Sequence, residues 1–176
     1  MTSLLVIGGN AAGMSCAAKA KRRAPDLEVT VIEAGPHISY SSCGIPHLVS
    51  GAVEEPEQLL VLSPETAKER GINVRTHTAA VALNAYTKEV TVQGPKGRDS
   101  IHYDKLCIAT GAAPLNPLKG GDLKGVFALR HVWDGVKLME HVDSGKSKKM
   151  AIVGGGHTGL EMAEAFHKRG TEVHLF

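Results

Sequence analysis

Two glycine turns constrain this chain more than any other feature. The apolar run Leu4-Leu5-Val6-Ile7 leads into Gly8-Gly9-Asn10-Ala11-Ala12-Gly13, and a second run, Met150-Ala151-Ile152-Val153, leads into Gly154-Gly155-Gly156-His157-Thr158-Gly159. In a strand, glycine turn and helix of this kind, the first glycine makes the tight turn and the second lets the backbone approach a pyrophosphate. The third lets helix and strand pack closely. Gly154, Gly156 and Gly159 match the G-x-G-x-x-G spacing in full, whereas the first turn has Asn10 at its second glycine position and Gly9 one residue early. After the first turn, residues 14–23 contain good helix formers and no Gly or Pro. Pro25 ends that helix, and residues 28–32 form a β-branched strand closed by Glu33. The helical crossover makes the two strands parallel. Because Gly8 and Gly154 stand 146 residues apart, the pattern is a duplicated nucleotide-binding architecture and not a short solenoid repeat.

Between the turns, residues 34–63 are irregular and rich in Ser, Gly and Pro, with a short helix expected over 44–49. Ser63-Pro64 predicts a helix to about Arg70, stopped by Gly71. Residues 72–76, 80–83, 89–93 and 100–103 read as short strands, with a turn at 94–97, and are expected to form a small antiparallel insertion. Residues 105–109 have a buried-strand pattern ending at Thr110-Gly111, and the Pro114, Pro117, Gly120-Gly121 stretch reads as a connection out of the first domain. A helix is expected over 131–143, another from the second turn to about Arg169, and a strand over 172–176.

Composition excludes several functions. Apolar residues make up 43% of the 176, yet no run approaches the eighteen needed for a membrane span. The N-terminus lacks a basic n-region and a small-residue cleavage site, so its apolar run is expected to be a strand and not a signal peptide. Net charge is +2 with the signs mixed, which gives no general nucleic-acid surface. Cys16, Cys43 and Cys107 have no metal-ligand spacing, and an odd count argues against a secreted disulfide framework. A cytoplasmic protein without a metal is expected.

Ser39-Tyr40-Ser41-Ser42-Cys43-Gly44-Ile45-Pro46 is the most informative stretch. A lone cysteine is more often a small buried hydrophobe, and Cys16 in an Ala-rich helix and Cys107 in an apolar strand fit that role. Cys43, in a polar loop before a short helix, fits a reactive thiolate better. Glu33, ending its strand, can accept hydrogen bonds from a ribose, against the alternative of a solvated surface carboxylate. Ser15, Lys19 and Arg22 share one face of the first helix. They form either an ordinary solvated face or a site for a polyphosphate-bearing thiol.

These residues resemble the single-cysteine pyridine nucleotide-disulfide oxidoreductases, which include coenzyme A-disulfide reductases, polysulfide reductases and NADH oxidases. The resemblance spans essentially the whole chain. It rests on the Gly8 to Glu33 unit, the cysteine stretch, Tyr103-Asp104-Lys105-Leu106-Cys107-Ile108-Ala109-Thr110-Gly111, and the segment from Gly154 to Glu164. It implies an α/β fold, with a Rossmann-like FAD-binding domain bearing the antiparallel insertion over residues 1–113. The start of a second, NAD(P)-binding Rossmann domain would follow over 114–176. By the same resemblance, Cys43 is the redox nucleophile. Gly8, Gly9, Gly13, Glu33, Ala80, Thr110 and Gly111 would serve FAD, and Gly154, Gly156, Gly159 and Glu161 would serve NADH or NADPH. Ser15, Lys19, Arg22, Ser39, Ser42 and Arg70 fall where coenzyme A is held. A homodimer is expected of the full-length parent.

Three departures shape the reading. No second cysteine follows Cys43 closely, so its resting partner must be a sulfenate, a persulfide or a mixed disulfide. Position 10 is Asn, where peroxidases and water-forming oxidases of the family commonly have His, and position 157 is His where many relatives have Tyr. The expected activity is NAD(P)H-dependent reduction of coenzyme A disulfide or a related persulfide or polysulfide. Oxygen reduction through a Cys43 sulfenate and a non-catalytic FAD-binding fragment are the alternatives.

Overall fold

Leu4, Leu5, Val6 and Ile7 are all buried, so β1 (Ser3–Ile7) is covered on both faces. An unbroken apolar strand of this kind belongs at the centre of a parallel sheet. The computed structural model describes residues 2–116, 118–145 and 148–176; the part of the expected connection that falls on Pro117 lies outside the described residues. After β1 come α1 (Ala11–Arg23), β2 (Glu28–Ile32), α2 (Ile45–Ser50), α3 (Pro64–Glu69), β3 (Ile72–Arg75) and β4 (Ala79–Asn84). β5 (Glu89–Gly94), β6 (Gly97–His102), β7 (Lys105–Ile108), α4 (Val132–Asp143), β8 (Lys149–Ile152), α5 (His157–Lys168) and β9 (Glu172–Leu175) complete the order. The fold is α/β, with parallel sheets and one small antiparallel sheet.

The chain divides into two compact units, Met1–Tyr40 with Leu60–Ala112, and Ser41–Leu59 with Ala113–Phe176. In the first, the sheet order is β3-β2-β1-β7, all parallel. Alternation along β1 and β2 sends Leu4, Val6, Val29 and Val31 to one face, where they meet Met14 and Ala17 of α1 and Ala67 of α3. Leu5, Ile7 and Ile32 point the other way, onto Val90 and Val92 of the antiparallel sheet β4-β5-β6. Helices, parallel sheet and antiparallel sheet therefore form three layers in this unit.

One expectation is corrected. Residues 72–75 do not join the antiparallel insertion; β3 pairs with β2 in parallel, Val29 opposite Ile72. The physical reason is α3, which is capped by Ser63 accepting the Thr66 N–H at 3.2 Å and turns the connection into a helical crossover. β7 is also only half-buried, with Ile108 61% exposed, because among the described residues it is a sheet edge.

At the amino end of the sheet, Asp104 Oδ2 accepts the Ser3 N–H at 2.7 Å and the Ser3 hydroxyl at 3.2 Å, tying β1 to β7. The Ser3 backbone bond, then its hydroxyl, hold the Asp104 carboxyl below the usual range. A carboxyl lowered in the folded state stabilises at pH above its unfolded value, and the contribution fades as pH falls toward the folded value. Asp104→Ala is expected to lower the urea midpoint at neutral pH. The gap to the parent should narrow below the ordinary aspartate value of about 3.9; a gap constant across that range would contradict the assignment.

In the second unit, β8 and β9 pair in parallel, Lys149 opposite Glu172, with α5 as their crossover. Residues 41–59, grouped by sequence with the first domain, pack here. Ile45, Leu48 and Val49 of α2 are buried, and α2 lies against α4 and α5. Gly135 of α4 permits the close approach, since a Cβ there would stand 2.9 Å from Ile45 Cγ2.

Candidate functional site

The first glycine turn sits at the carboxyl end of the parallel sheet, where α/β folds place ligands. Gly8 has φ +106°, and a Cβ on it would overlap the carbonyl oxygen of Ala109, so the chain just past β7 lies directly behind the turn. A Cβ on Gly13 would overlap the carbonyl oxygen of Gly8, which places α1 in close contact with the end of β1. Glu33, one residue past β2, accepts the Gly9 N–H at 2.7 Å on Oε2 and the Gly35 N–H at 2.8 Å on Oε1. Its carboxylate is thereby aimed at the turn, and each oxygen keeps a further lone pair. Thr78 donates its N–H to the Glu33 carbonyl at 2.8 Å, which brings Ala80 in β4 to the same end of the sheet. Thr110 and Gly111 (φ +70°) follow Ala109 and are exposed there. Gly8, Gly9, Gly13, Glu33, Ala80, Thr110 and Gly111 are thus gathered at one edge.

α1 has no side-chain N-cap and no acidic residue in its first turn. Its first amides are left for an anion, the condition for seating a phosphate. The Asn10 side chain goes elsewhere: Oδ1 accepts the Tyr40 N–H at 3.1 Å. Beside it, Ser39 adopts a left-handed φ of +48°, held by its N–H donating to the Gly9 carbonyl at 2.9 Å and its carbonyl accepting from Val61 at 2.8 Å. These residues fit a dinucleotide, the glycines giving space and Glu33 an acceptor.

Ser15, Lys19 and Arg22 are exposed on one face of α1. Ser15, Arg22 and Ser39 line a hollow of about 270 Å³ whose floor includes Met14 and Ala18. Arg22 also borders a second hollow of about 440 Å³, with Lys21 and Arg70. Lys19 lines neither hollow. Arg22 and Ala18 line both hollows.

In the second unit, Cys43 lies in a 3-10 turn, Ser42–Gly44, that leads into α2. Ser42 and Cys43 are exposed, and Cys43 Sγ stands 3.7 Å from Ser41 Oγ. A Cβ on Gly44 would crowd the Leu59 side chain, so the residue after the cysteine packs closely against Leu59. The second glycine turn repeats the first: Gly154 has φ +113°, and a Cβ on Gly159 would overlap the Gly154 carbonyl. α5, like α1, has no side-chain cap and no first-turn acid. Gly154, Gly156 and Glu161 are exposed.

The other two cysteines are half-buried, and burial together with the neighbouring Cys16 thiol pushes the Cys107 thiol up. A raised thiol leaves less of Cys107 as thiolate, the nucleophilic form. Among the described residues no cluster of three His, Cys, Asp or Glu is placed to hold a metal, and no helix is long and apolar enough to cross a membrane.

The sequence profile of the pyridine nucleotide-disulphide oxidoreductases matches residues 2–176. The chain belongs to that family. As a pyridine nucleotide-disulphide oxidoreductase it is 40% identical over 173 residues to the NAD(P)H sulfur oxidoreductase (CoA-dependent) of Pyrococcus abyssi, a match covering 97% of this chain and 38% of that protein. It is 32% identical to the coenzyme A disulfide reductase of Staphylococcus haemolyticus, covering 99% of this chain and 40% of the relative. Among solved structures it resembles the water-forming NADH oxidase from Lactobacillus brevis bound to NADH. That likeness has a TM-score of 0.92 at 31% identity, over 99% of this chain and 39% of the other. The chain spans about two-fifths of the length of the curated relatives it matches.

Within this oxidoreductase fold, sequence reasoning missed two contacts. Gly35 donates to Glu33, and Asn10 braces Tyr40. Lys21, part of the basic patch expected beside Arg22, borders the second hollow and donates to the Leu27 carbonyl at 2.8 Å. The signal for Gly35 was available, since a glycine two residues after a strand-ending carboxylate can close back on it. Nothing in the sequence pairs Asn10 with Tyr40.

Proposed function

We propose that this chain is the nucleotide-binding portion of an FAD-dependent NAD(P)H:disulfide oxidoreductase whose single redox cysteine is Cys43. Its substrate class is coenzyme A disulfide or a related persulfide or polysulfide. The observation that carries this reading is the placement of the thiols: of three cysteines, Cys43 alone is exposed, in a hydroxyl-rich turn. Bound FAD and a nicotinamide dinucleotide supply the two electrons that return the cysteine to its thiolate. The chain's own residues hold and present. Glu33 accepts from a ribose, and the open first turns of α1 and α5 take phosphates. The Cys43 thiolate attacks one sulfur of the substrate disulfide, forming a mixed disulfide and releasing the other half as thiolate.

Ser15, Lys19, Arg22, Ser39, Ser42 and Arg70 are assigned to the coenzyme A moiety, with Arg22 meeting phosphate. Arg22→Ala in the full-length protein is expected to raise KM for coenzyme A disulfide about tenfold or more, the cost of a charge-assisted hydrogen bond, while sparing small disulfides and sulfur. An equal effect on all substrates would reduce Arg22 to a solvated helix face. Likeness to an NADH oxidase supports a second reading, oxygen reduction through a Cys43 sulfenate. Asn10 weighs against it, because its side-chain oxygen is committed to Tyr40. Oxygen uptake matching NAD(P)H consumption with no disulfide present would favour that reading. The full-length protein is further proposed to be a cytoplasmic homodimer, which sedimentation of the purified protein checks.

A further inference from the structure

Three helices of the second unit end at one guanidinium. Arg169 is the C-cap of α5; its Nη1 donates to the Val49 carbonyl in the last turn of α2 at 3.1 Å, and its Nη2 pairs with the carboxylate of Asp143, the last residue of α4. The Arg169 side chain is only 24% exposed. Helix carboxyl ends carry unpartnered carbonyls and the negative pole of the dipole, so a cation at their convergence is favourable. Arginine suits the place better than lysine, since its planar fork serves two acceptors at fixed angles.

α2 has six residues, too few to be stable alone, so its position is set by what it packs on. Its buried side chains Ile45, Leu48 and Val49 hold its face, and Arg169 holds its carboxyl end. Cys43 stands in the turn immediately before α2 and is itself exposed, so the orientation of the thiol is inherited from that helix. The other end of α5 opens in the Gly154 turn, so the same clamp fixes α2 to the helix framing that turn.

We propose that Arg169 is a positioning residue for Cys43, clamping the carboxyl ends of α2, α4 and α5 so that the thiol is presented at a fixed angle to its disulfide substrate. This rests on the reading of Cys43 as the redox nucleophile. The test uses the full-length flavoprotein and three variants, Arg169→Ala, Arg169→Lys and Asp143→Asn. For each, Cys43 alkylation by iodoacetamide, kcat for disulfide reduction and single-turnover reduction of the flavin by NAD(P)H are measured.

Arg169→Ala is expected to lower kcat for the disulfide roughly tenfold or more, since small misplacements of a reacting group cost that much. Cys43 alkylation should change several-fold, and flavin reduction should stay within about twofold. Arg169→Lys should return both kcat and the alkylation rate part of the way to the parent values, and Asp143→Asn, which keeps the Val49 bond, should show a smaller change in the same direction as Arg169→Ala. If Arg169→Ala does not fold, these two variants carry the test. Unchanged alkylation and kcat would overturn the proposal. So would parallel loss of disulfide turnover, flavin reduction and flavin content, which would make Arg169 a general structural residue. A failure of the underlying reading looks different: Cys43→Ser would then keep disulfide turnover whatever Arg169 does.

Discussion

Gly13→Ala in the full-length protein is expected to purify with little or no flavin and a lowered thermal midpoint. Helix propensity predicts the opposite sign, because alanine inside a helix is favoured over glycine by about 1 kcal/mol. Packing decides otherwise. The added Cβ would overlap the Gly8 carbonyl oxygen, which belongs to backbone already fixed by the Gly8 φ of +106° and by Ala109 behind it. Neither neighbour is the far end of a flexible side chain, so α1 itself must move off β1. Overpacking of this kind costs about 1–3 kcal/mol, more than propensity returns. It also displaces the first turn of α1 from the place where a phosphate would sit. A Gly13→Ala protein with full flavin content and unchanged midpoint would contradict the account of the turn.

Cys43→Ser is expected to have the largest functional effect, a loss of disulfide turnover of at least about a thousandfold with the flavin still bound and still reduced by NAD(P)H. Serine nearly matches cysteine in size, and Cys43 is exposed, so the fold has little to lose. Its hydroxyl is not ionised near neutral pH and forms no disulfide, so the thiol chemistry has no substitute. Cys16→Ser and Cys107→Ser should behave oppositely. Both thiols are half-buried, and Cys107 lies against the apolar cluster of the first unit. Each change should cost stability on the order of 1 kcal/mol and leave turnover within a few-fold. The informative result is the contrast within one protein. Stopped-flow reduction of the flavin and steady-state disulfide turnover, measured on all three variants, would show it.

Much of this architecture was legible in the sequence because glycine is read through sterics that act over a few residues. A Cβ on Gly13 or Gly159 would strike the carbonyl at the start of its own turn, while Gly8 and Gly154 take positive φ, and each requirement is local. The capped start of α3 at Ser63-Pro64 was legible for the same reason. What the sequence hid was set by distant partners. Ile72 to Arg75 reads like any short strand, and only α3 as a crossover makes it parallel to β2. Residues 41–59 carry no local mark that α2 packs on α4 and α5. Ser39 in the left-handed region could not be foreseen from a residue that seldom adopts it; Gly9 and Val61 hold it there. Arg169 looked like an ordinary helix-ending cation, and its partners lie 120 residues away at Val49 and 26 away at Asp143.

The most direct measurement of the central claim is the mass of the full-length protein, reduced at Cys43 with NAD(P)H and then freed of it, after exposure to coenzyme A disulfide, followed by peptide mapping. A Cys43 nucleophile exchanges once and stops, leaving one coenzyme A in disulfide linkage on the Cys43 peptide and releasing one coenzyme A thiol per protein chain. The adduct should disappear when NAD(P)H is added. An adduct on Cys16 or Cys107 instead, or steady turnover of the disulfide with the Cys43 peptide never modified, would contradict it.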